Sequence, residues 1–252
     1  MTQYLKPDWP APVQIKACTT LRQQGYSQGV YQSWNLATHV NDSLEHVEKN
    51  RQLLSDTLAL PAEPVWLEQV HSDQVVLLEE NIPAKNVQAD GSYTRVEDKI
   101  CVVMTADCLP VLITNRAGTE VAAVHAGWRG LAAGIVEKAV QCFQSEAKDC
   151  LVWLGPAIGP AAFEVGDDVR QAFMQQDAET TEAFVPTGEG KYLANIYALA
   201  RQRLQLAGVT DIYGGDHCTY TEAEQFYSYR RDQETGRMAS LIWIDSGSKG
   251  ND

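Results

Sequence analysis

Three residues of this sequence carry the side chains of a zinc site. His71 follows an apolar run in Trp66-Leu-Glu-Gln-Val-His71-Ser-Asp. Cys108 lies between two apolar runs in Thr105-Ala-Asp107-Cys108-Leu-Pro110. His125 ends a third in Ala123-Val-His125-Ala-Gly-Trp-Arg129-Gly. Two imidazoles and one thiolate leave the fourth position of a tetrahedral zinc for water, as catalytic zinc requires. Such a zinc lowers the pKa of its water to about 7 and polarises a leaving group. No CxxC or HExxH pattern joins the three. Residue types alone therefore leave a second reading open, with Cys108 a small core residue and both histidines hydrogen-bonded at strand ends.

Other residues offer further chemistry, each beside a plainer role. Asp107 is a carboxylate inside an apolar stretch. It can support a metal ligand, act as a general acid or base, or cap the Leu-Pro turn. Gly127-Trp128-Arg129-Gly130 opens a helix, where free N–H groups and Arg129 suit an anion; a tight turn with a solvated Arg129 is the alternative. Tyr227, Tyr229, Arg230 and Arg231 can stack on a base or grip phosphate, or simply make a polar turn. Cys101, Cys142 and Cys150 read as packing residues, and Cys18 has no assignment. His217 and Cys218 are a poor metal pair, because adjacent residues on a strand face opposite ways.

The elements that must position these residues alternate along the chain. Asp42 to Leu60 reads as a helix, with Asp42 or Ser43 as its cap and Pro61 as its stop. Val65 to Val70 and Val75 to Leu78 read as strands around the polar turn Ser72-Asp73. Ile100–Met104, Leu109–Thr114 and Val121–His125 read as buried strands. A helix is expected from Leu131 to Phe143, a strand over Leu151–Leu154, and helices over Val165–Gln176 and Asn195–Ala207. Ile212-Tyr213 and Leu241–Ile244 close the chain as strands. The class is α/β or α+β in one domain, residues 1–252, and the mixed connections favour a mixed sheet.

Composition narrows the function. The 252 residues are 44% hydrophobic and 21% charged, ordinary globular values. Lys and Arg number 20 against 33 Asp and Glu, a net charge of −13. That balance disfavours broad binding to nucleic acid or an anionic membrane. It leaves room for a small anion held by a few local arginines. Met1 to Ala17 has no apolar core of a secretory signal, and no run reaches the length of a membrane span. The expected compartment is the cytoplasm, where six cysteines stay reduced. The oligomeric state is left open.

These residues, taken in order, resemble the YfiH/laccase-domain family of purine nucleoside phosphorylases, also called the multicopper polyphenol oxidase type, and most of all its enterobacterial branch. The resemblance runs through Trp66–His71, Met104–Leu112, Val124–Gly130, Leu154–Pro160, Phe163–Val165 and Phe226–Asp232. It implies a four-layer α/β/β/α domain with two sheets between helices. It implies a shared metal site of His71, Cys108 and His125, usually zinc, with copper an alternative occupant. It implies phosphorolysis of adenosine, inosine and methylthioadenosine by inorganic phosphate, and deamination of adenosine. In that chemistry Asp107, Cys108 and His125 are the catalytic candidates. Arg22, Ser27, Asn35 and Arg129 are the candidates for substrate or phosphate. The amino-terminal motif departs from the family pattern at Gln24, Tyr26 and Asn41. Rival readings are an amide hydrolase of cell-wall precursors with zinc or a Cys108 nucleophile and His125 base, a metal-stabilised binding module, and a copper oxidase. Five histidines are too few for the last.

Overall fold

The apolar runs alternate sides once they fold, and this alternation builds two sheets back to back. The computed structural model describes residues 3–79 and 87–247. Met1 and Thr2, the start of the amino-terminal stretch searched for a signal, lie outside the described residues. β1 (Tyr4–Leu5) and β2 (Ile15–Thr20) precede α1 (Leu44–Leu58). β3 (Leu67–Glu68), β4 (Val75–Leu77), β5 (Val87–Gln88) and β6 (Gly91–Thr94) follow, then β7 (Cys101–Thr105), β8 (Leu109–Asn115) and β9 (Val121–Ala126). Next come α2 (Trp128–Ala133), α3 (Ile135–Gln141), β10 (Cys150–Leu154), β11 (Glu164–Gly166) and α4 (Asp167–Met174). β12 (Phe184–Gly188), β13 (Lys191–Ala194), α5 (Ile196–Leu206), β14 (Asp211–Gly214), α6 (Tyr229–Asp232) and β15 (Met238–Ile244) complete the order.

One sheet runs β1-β2-β15-β7 and the other β14-β10-β8-β9-β6-β4. Successive side chains of a strand point to opposite faces, so each buried strand feeds two cores. In β7, Cys101 and Val103 point between the sheets while Val102 points to α1. In β8, Leu112 points between the sheets while Val111 and Ile113 meet the helices on the far side. Leu54 of α1 covers the first sheet, and Leu131, Ile135 and Leu204 of α2, α3 and α5 cover the second. The result is the four-layer α/β/β/α domain with two sheets between helices. The sheets are mixed: β10 pairs parallel with β14 and antiparallel with β8.

Four expectations change. Val65–Val70 and Val75–Leu78 do not pair around Ser72-Asp73; β3 and β4 each pair parallel with a later strand, β5 and β6. The helix expected from Leu131 begins at Trp128 and breaks at Gly134, whose φ of 95° is left-handed. The helix expected from Val165 begins at Asp167, because Val165 pairs with Tyr192 in the three-stranded sheet β11-β13-β12. α1 spans less than Asp42–Leu60, and the Asp42 carboxylate turns back to Ser27 and Asn35 rather than capping it. No helix among the described residues is long and apolar enough to cross a membrane.

Candidate metal centre and its cleft

His125 lies in β9, opposite Pro110 of β8. Cys108 sits in the connection between β7 and β8. His71 follows β3 in the loop before β4. Backbone pairing thus places two of the three at the same end of adjacent strands. Gln69 brings the third: its amide donates to the Met104 carbonyl at 2.8 Å and accepts from the Met104 N–H at 2.7 Å, tying the His71 loop to β7. The ligand atoms of His71, Cys108 and His125 lie within 4.8 Å of one another.

Asp90, which sequence reading did not single out, builds this cluster. It is fully buried. Its carboxylate accepts from three successive N–H groups, Val70 at 3.2 Å, His71 at 3.0 Å and Ser72 at 2.6 Å, and from the Ser72 hydroxyl at 2.7 Å. This holds His71 at a φ of 60°, a left-handed conformation costly for a residue with a Cβ. The same carboxylate meets His125 Nδ1 at 2.8 Å. A proton donated from Nδ1 leaves Nε2 with a free lone pair, the state a metal needs. Burial alone would raise the Asp90 carboxyl; hydrogen bonds from His125 and Ser72 outweigh it and hold the group at about 2.

The imidazoles differ. Burial, then the charge of His125, holds His71 below the ordinary range. Burial also pulls His125 down, but the Cys108 charge and its hydrogen bonds to Asp90 and Cys108 prevail and lift it to about 9. A bound cation would take the place of that proton.

The donor set fits a metal, and so does the space beside it. A Cβ on Gly127 would lie 3.0 Å from His71 Nδ1, 3.2 Å from Cys108 Sγ and 3.4 Å from His125 Cε1. Gly127 has an ordinary φ of −61°, so its lack of a side chain serves space rather than conformation. Two imidazoles and a thiolate suit zinc, and copper also accepts such ligands.

The cluster opens into a cleft of about 590 Å³. Asp107, Arg129, Tyr229 and Arg230 line it. So do His39, Phe163 and Arg237, which carried no site assignment from sequence. Asp107, with φ of 86°, ties the wall together. Its carboxylate accepts from the Thr219 hydroxyl and the Arg230 N–H, both at 2.6 Å, and its carbonyl accepts from the Ile158 N–H at 2.9 Å. It does not cap the Leu-Pro turn.

Arg22, Ser27 and Asn35 are not among the residues lining the cleft. Arg22 donates to the carbonyls of Gln32 and Ala223 and stacks on Tyr227. Ser27 and Asn35 are buried and donate to the Asp42 carboxylate. Among the described residues His217 and Cys218 belong to no metal cluster: His217 Nδ1 meets Glu222 at 2.9 Å, and Cys218 Sγ accepts from the Gly159 N–H at 3.2 Å.

Known proteins resemble this chain over nearly its whole length. The profile of the family described as multi-copper polyphenol oxidoreductase laccase matches residues 16–245. The chain is 55% identical to the Escherichia coli protein named purine nucleoside phosphorylase YfiH over 244 residues, 97% of this chain and all of that one. It is 50% identical to the purine nucleoside phosphorylase of Haemophilus influenzae, over 96% of this chain and all of that one. The crystal structure of Neisseria meningitidis protein NMB0706 superposes with a TM-score of 0.92 at 47% identity, covering 97% of this chain and all of that one. With a family profile spanning nearly the whole chain, and relatives of matching length and fold, the chain belongs to the multi-copper polyphenol oxidoreductase laccase family, the YfiH family of the resemblance.

Proposed function

We propose that this protein is a zinc-supported purine nucleoside phosphorylase acting on adenosine, inosine and methylthioadenosine, with hydrolytic deamination of adenosine as a second activity. The carrying observation is the convergence of His71, Cys108 and His125 on one cleft in front of Gly127. The phosphorylase names of its relatives support the reaction class. Zinc held there supplies Lewis-acid polarisation when bound. The cleft is within the size range of small-ligand sites. Phe163 and Tyr229 offer rings to a purine. Arg129 is a phosphate contact, and Asp107 the proton carrier for deamination. In phosphorolysis a phosphate oxygen bonds to C1′ as the C1′–N9 bond breaks, and the purine leaves with the bonding pair and takes up a proton. All six cysteines are free thiols, which suits the cytoplasm as working compartment.

The test is direct. Zinc-loaded protein with inosine and phosphate should yield hypoxanthine and ribose-1-phosphate, and with adenosine alone should yield inosine and ammonia. No turnover of any purine nucleoside would sink the proposal. A second reading, amide hydrolysis with Cys108 as nucleophile and His125 as base, is favoured by the closeness of those side chains, whose ligand atoms lie within 4.8 Å. Activity that survives metal removal but not thiol alkylation would select it.

A further inference from the structure

The cleft is cationic in an acidic chain. Its charged lining holds three arginines, Arg129, Arg230 and Arg237, against one carboxylate, Asp107. The chain as a whole has 33 acidic and 20 basic residues. Yet among the described residues no carboxylate lies within ion-pair distance of any of the three.

Their donors are also aimed differently from those of structural arginines. Arg231 gives Nε and Nη2 to the Asp232 carboxylate at 2.9 and 2.8 Å, and Nη1 to the Thr219 and Tyr220 carbonyls. Arg22 gives the same Nε and Nη2 edge to the Gln32 carbonyl. The cleft arginines keep that edge clear of acceptors among the described residues. Arg237 donates only Nη1, to the Thr235 and Gly236 carbonyls at 2.8 and 3.0 Å. Arg230 donates only Nη1, to the Glu164 carbonyl at 2.9 Å. Arg129 donates its guanidinium to no acceptor among the described residues and stacks on Trp128 at 4.5 Å. The free edge is the fork that grips a phosphate with two parallel hydrogen bonds.

Two of the three are also held in place by the backbone. The Arg230 N–H is bound by Asp107 Oδ2 at 2.6 Å, and the Arg237 N–H by Asn35 Oδ1 at 3.0 Å. Arg237 is half-buried, and burial holds its guanidinium below the ordinary range. A half-buried cation with no ion-paired carboxylate is costly, and an anionic ligand relieves that cost.

We propose that Arg129, Arg230 and Arg237 form a subsite for a phosphate dianion beside the His71–Cys108–His125 cluster, filled by inorganic phosphate or by the phosphate group of a phosphorylated nucleoside. The inference rests on the cleft being a nucleoside site, and it assigns two arginines that reading leaves without a role.

Calorimetric titration of the full chain, zinc-loaded, with inorganic phosphate and then with inosine 5′-monophosphate tests it. Replacing Arg237 or Arg230 by Gln should weaken anion binding about tenfold each, the loss of one charged hydrogen-bond pair. Inosine itself should bind within about twofold of wild type. Arg116→Gln, whose partner is the surface Asp211, should change nothing. If Arg237→Gln fails to fold, Arg129→Gln, at an exposed position, carries the same expectation. Phosphate binding lost in the variants marks the free ion as the occupant; loss for the monophosphate alone marks the ester; both support the subsite. Unchanged affinities for both anions in all the arginine variants, or no binding of either anion to wild type, overturn it. Phosphorolysis measured in parallel separates the two readings. Turnover with unaltered anion binding in the variants removes the subsite alone. Anion binding through these arginines without turnover removes the phosphorylase alone.

Discussion

Replacing Asp90 by Asn tests the logic of the metal centre, because it changes one atom and keeps the shape. Oδ1 accepts from the His71 N–H and meets His125 Nδ1; Oδ2 accepts from Val70, Ser72 and the Ser72 hydroxyl. An amide has one acceptor oxygen and one NH₂. Whichever way it turns, at least two buried donors lose their acceptor. The milder orientation puts the NH₂ toward His71 and His125. Each buried donor left unpaired costs about 1–3 kcal/mol, so the variant should lose about 2–4 kcal/mol of stability. For a chain of this size that is a fall of about 5–15 °C in Tm. His125 can escape by moving its proton from Nδ1 to Nε2, but it then offers no lone pair to the metal. Zinc affinity should therefore drop about 10–100-fold. Urea denaturation of the metal-free protein reads the first effect, and chelator competition reads the second. A variant with Tm within about 1 °C and zinc affinity within about twofold of wild type would refute the assignment of Asp90 as the positioning residue.

Other outcomes follow from the same contacts. Gly127→Ala should fold with little loss of stability, since its backbone suits alanine, but should lose zinc affinity about tenfold because its Cβ would crowd all three ligands; metal content after dialysis and Tm together decide this. His71→Ala and Cys108→Ser should each leave the purified protein with substoichiometric zinc by elemental analysis, and retention of one zinc per chain by either would contradict the ligand set. Ser27→Ala should cost about 1 kcal/mol in urea melts while leaving kcat/KM for inosine unchanged, since its hydroxyl serves Asp42 and Asn50 rather than the cleft. Burial alone would raise the Glu120 carboxyl, but hydrogen bonds from Ser145, Tyr93 and Gln144 hold it below its ordinary 4.5. Its contribution is thus present above the unfolded value and lost as pH falls through the lower folded value. The stability gap between wild type and Glu120→Gln should close on acidification below about pH 4.5, and a gap that widens in acid would show the sign to be wrong.

The parts legible in the sequence are those carried by uninterrupted apolar runs. β7, β8 and β9 read as buried strands because they are flanked by a layer on each side, and two of the three candidate metal ligands end or follow such runs. β2 was invisible because Lys16, Thr19 and Thr20 break its pattern; it is a strand because β15 and β1 pair with it. β11 was hidden inside a helix reading because Val165 satisfies both periods, and only β13 decides between them. The ligands were legible by side-chain type and by resemblance. Asp90 was not, since one Asp before one Gly reads as a turn. Its function appears only when the chain brings residues 70–72 and 125 around it. Arg237 is hidden in the same way by a polar stretch, and what sets it apart, the absence of an ion-paired carboxylate among the described residues, shows only in the folded chain.

The amino-terminal motif illustrates how a residue can belong to a site without lining it. Arg22, Ser27 and Asn35 match the family pattern, yet none faces the cleft. Asn35 Oδ1 accepts from the Ala37 N–H at 3.1 Å and from the Arg237 N–H at 3.0 Å. It thereby braces the chain two residues before His39 and fixes the backbone of a cleft arginine. Arg22 stacks on Tyr227, whose hydroxyl donates to the Tyr31 carbonyl at 2.7 Å. Gly236 completes the packing: a Cβ there would lie 2.7 Å from the Tyr227 ring and 2.9 Å from Asn35. The motif thus supports the segment that presents Arg237, and the divergent Gln24, Tyr26 and Asn41 fall around that support rather than in the cleft. Variation there alters how firmly Arg237 is held, while Asp90, which holds His71 and His125, makes no contact with the motif among the described residues.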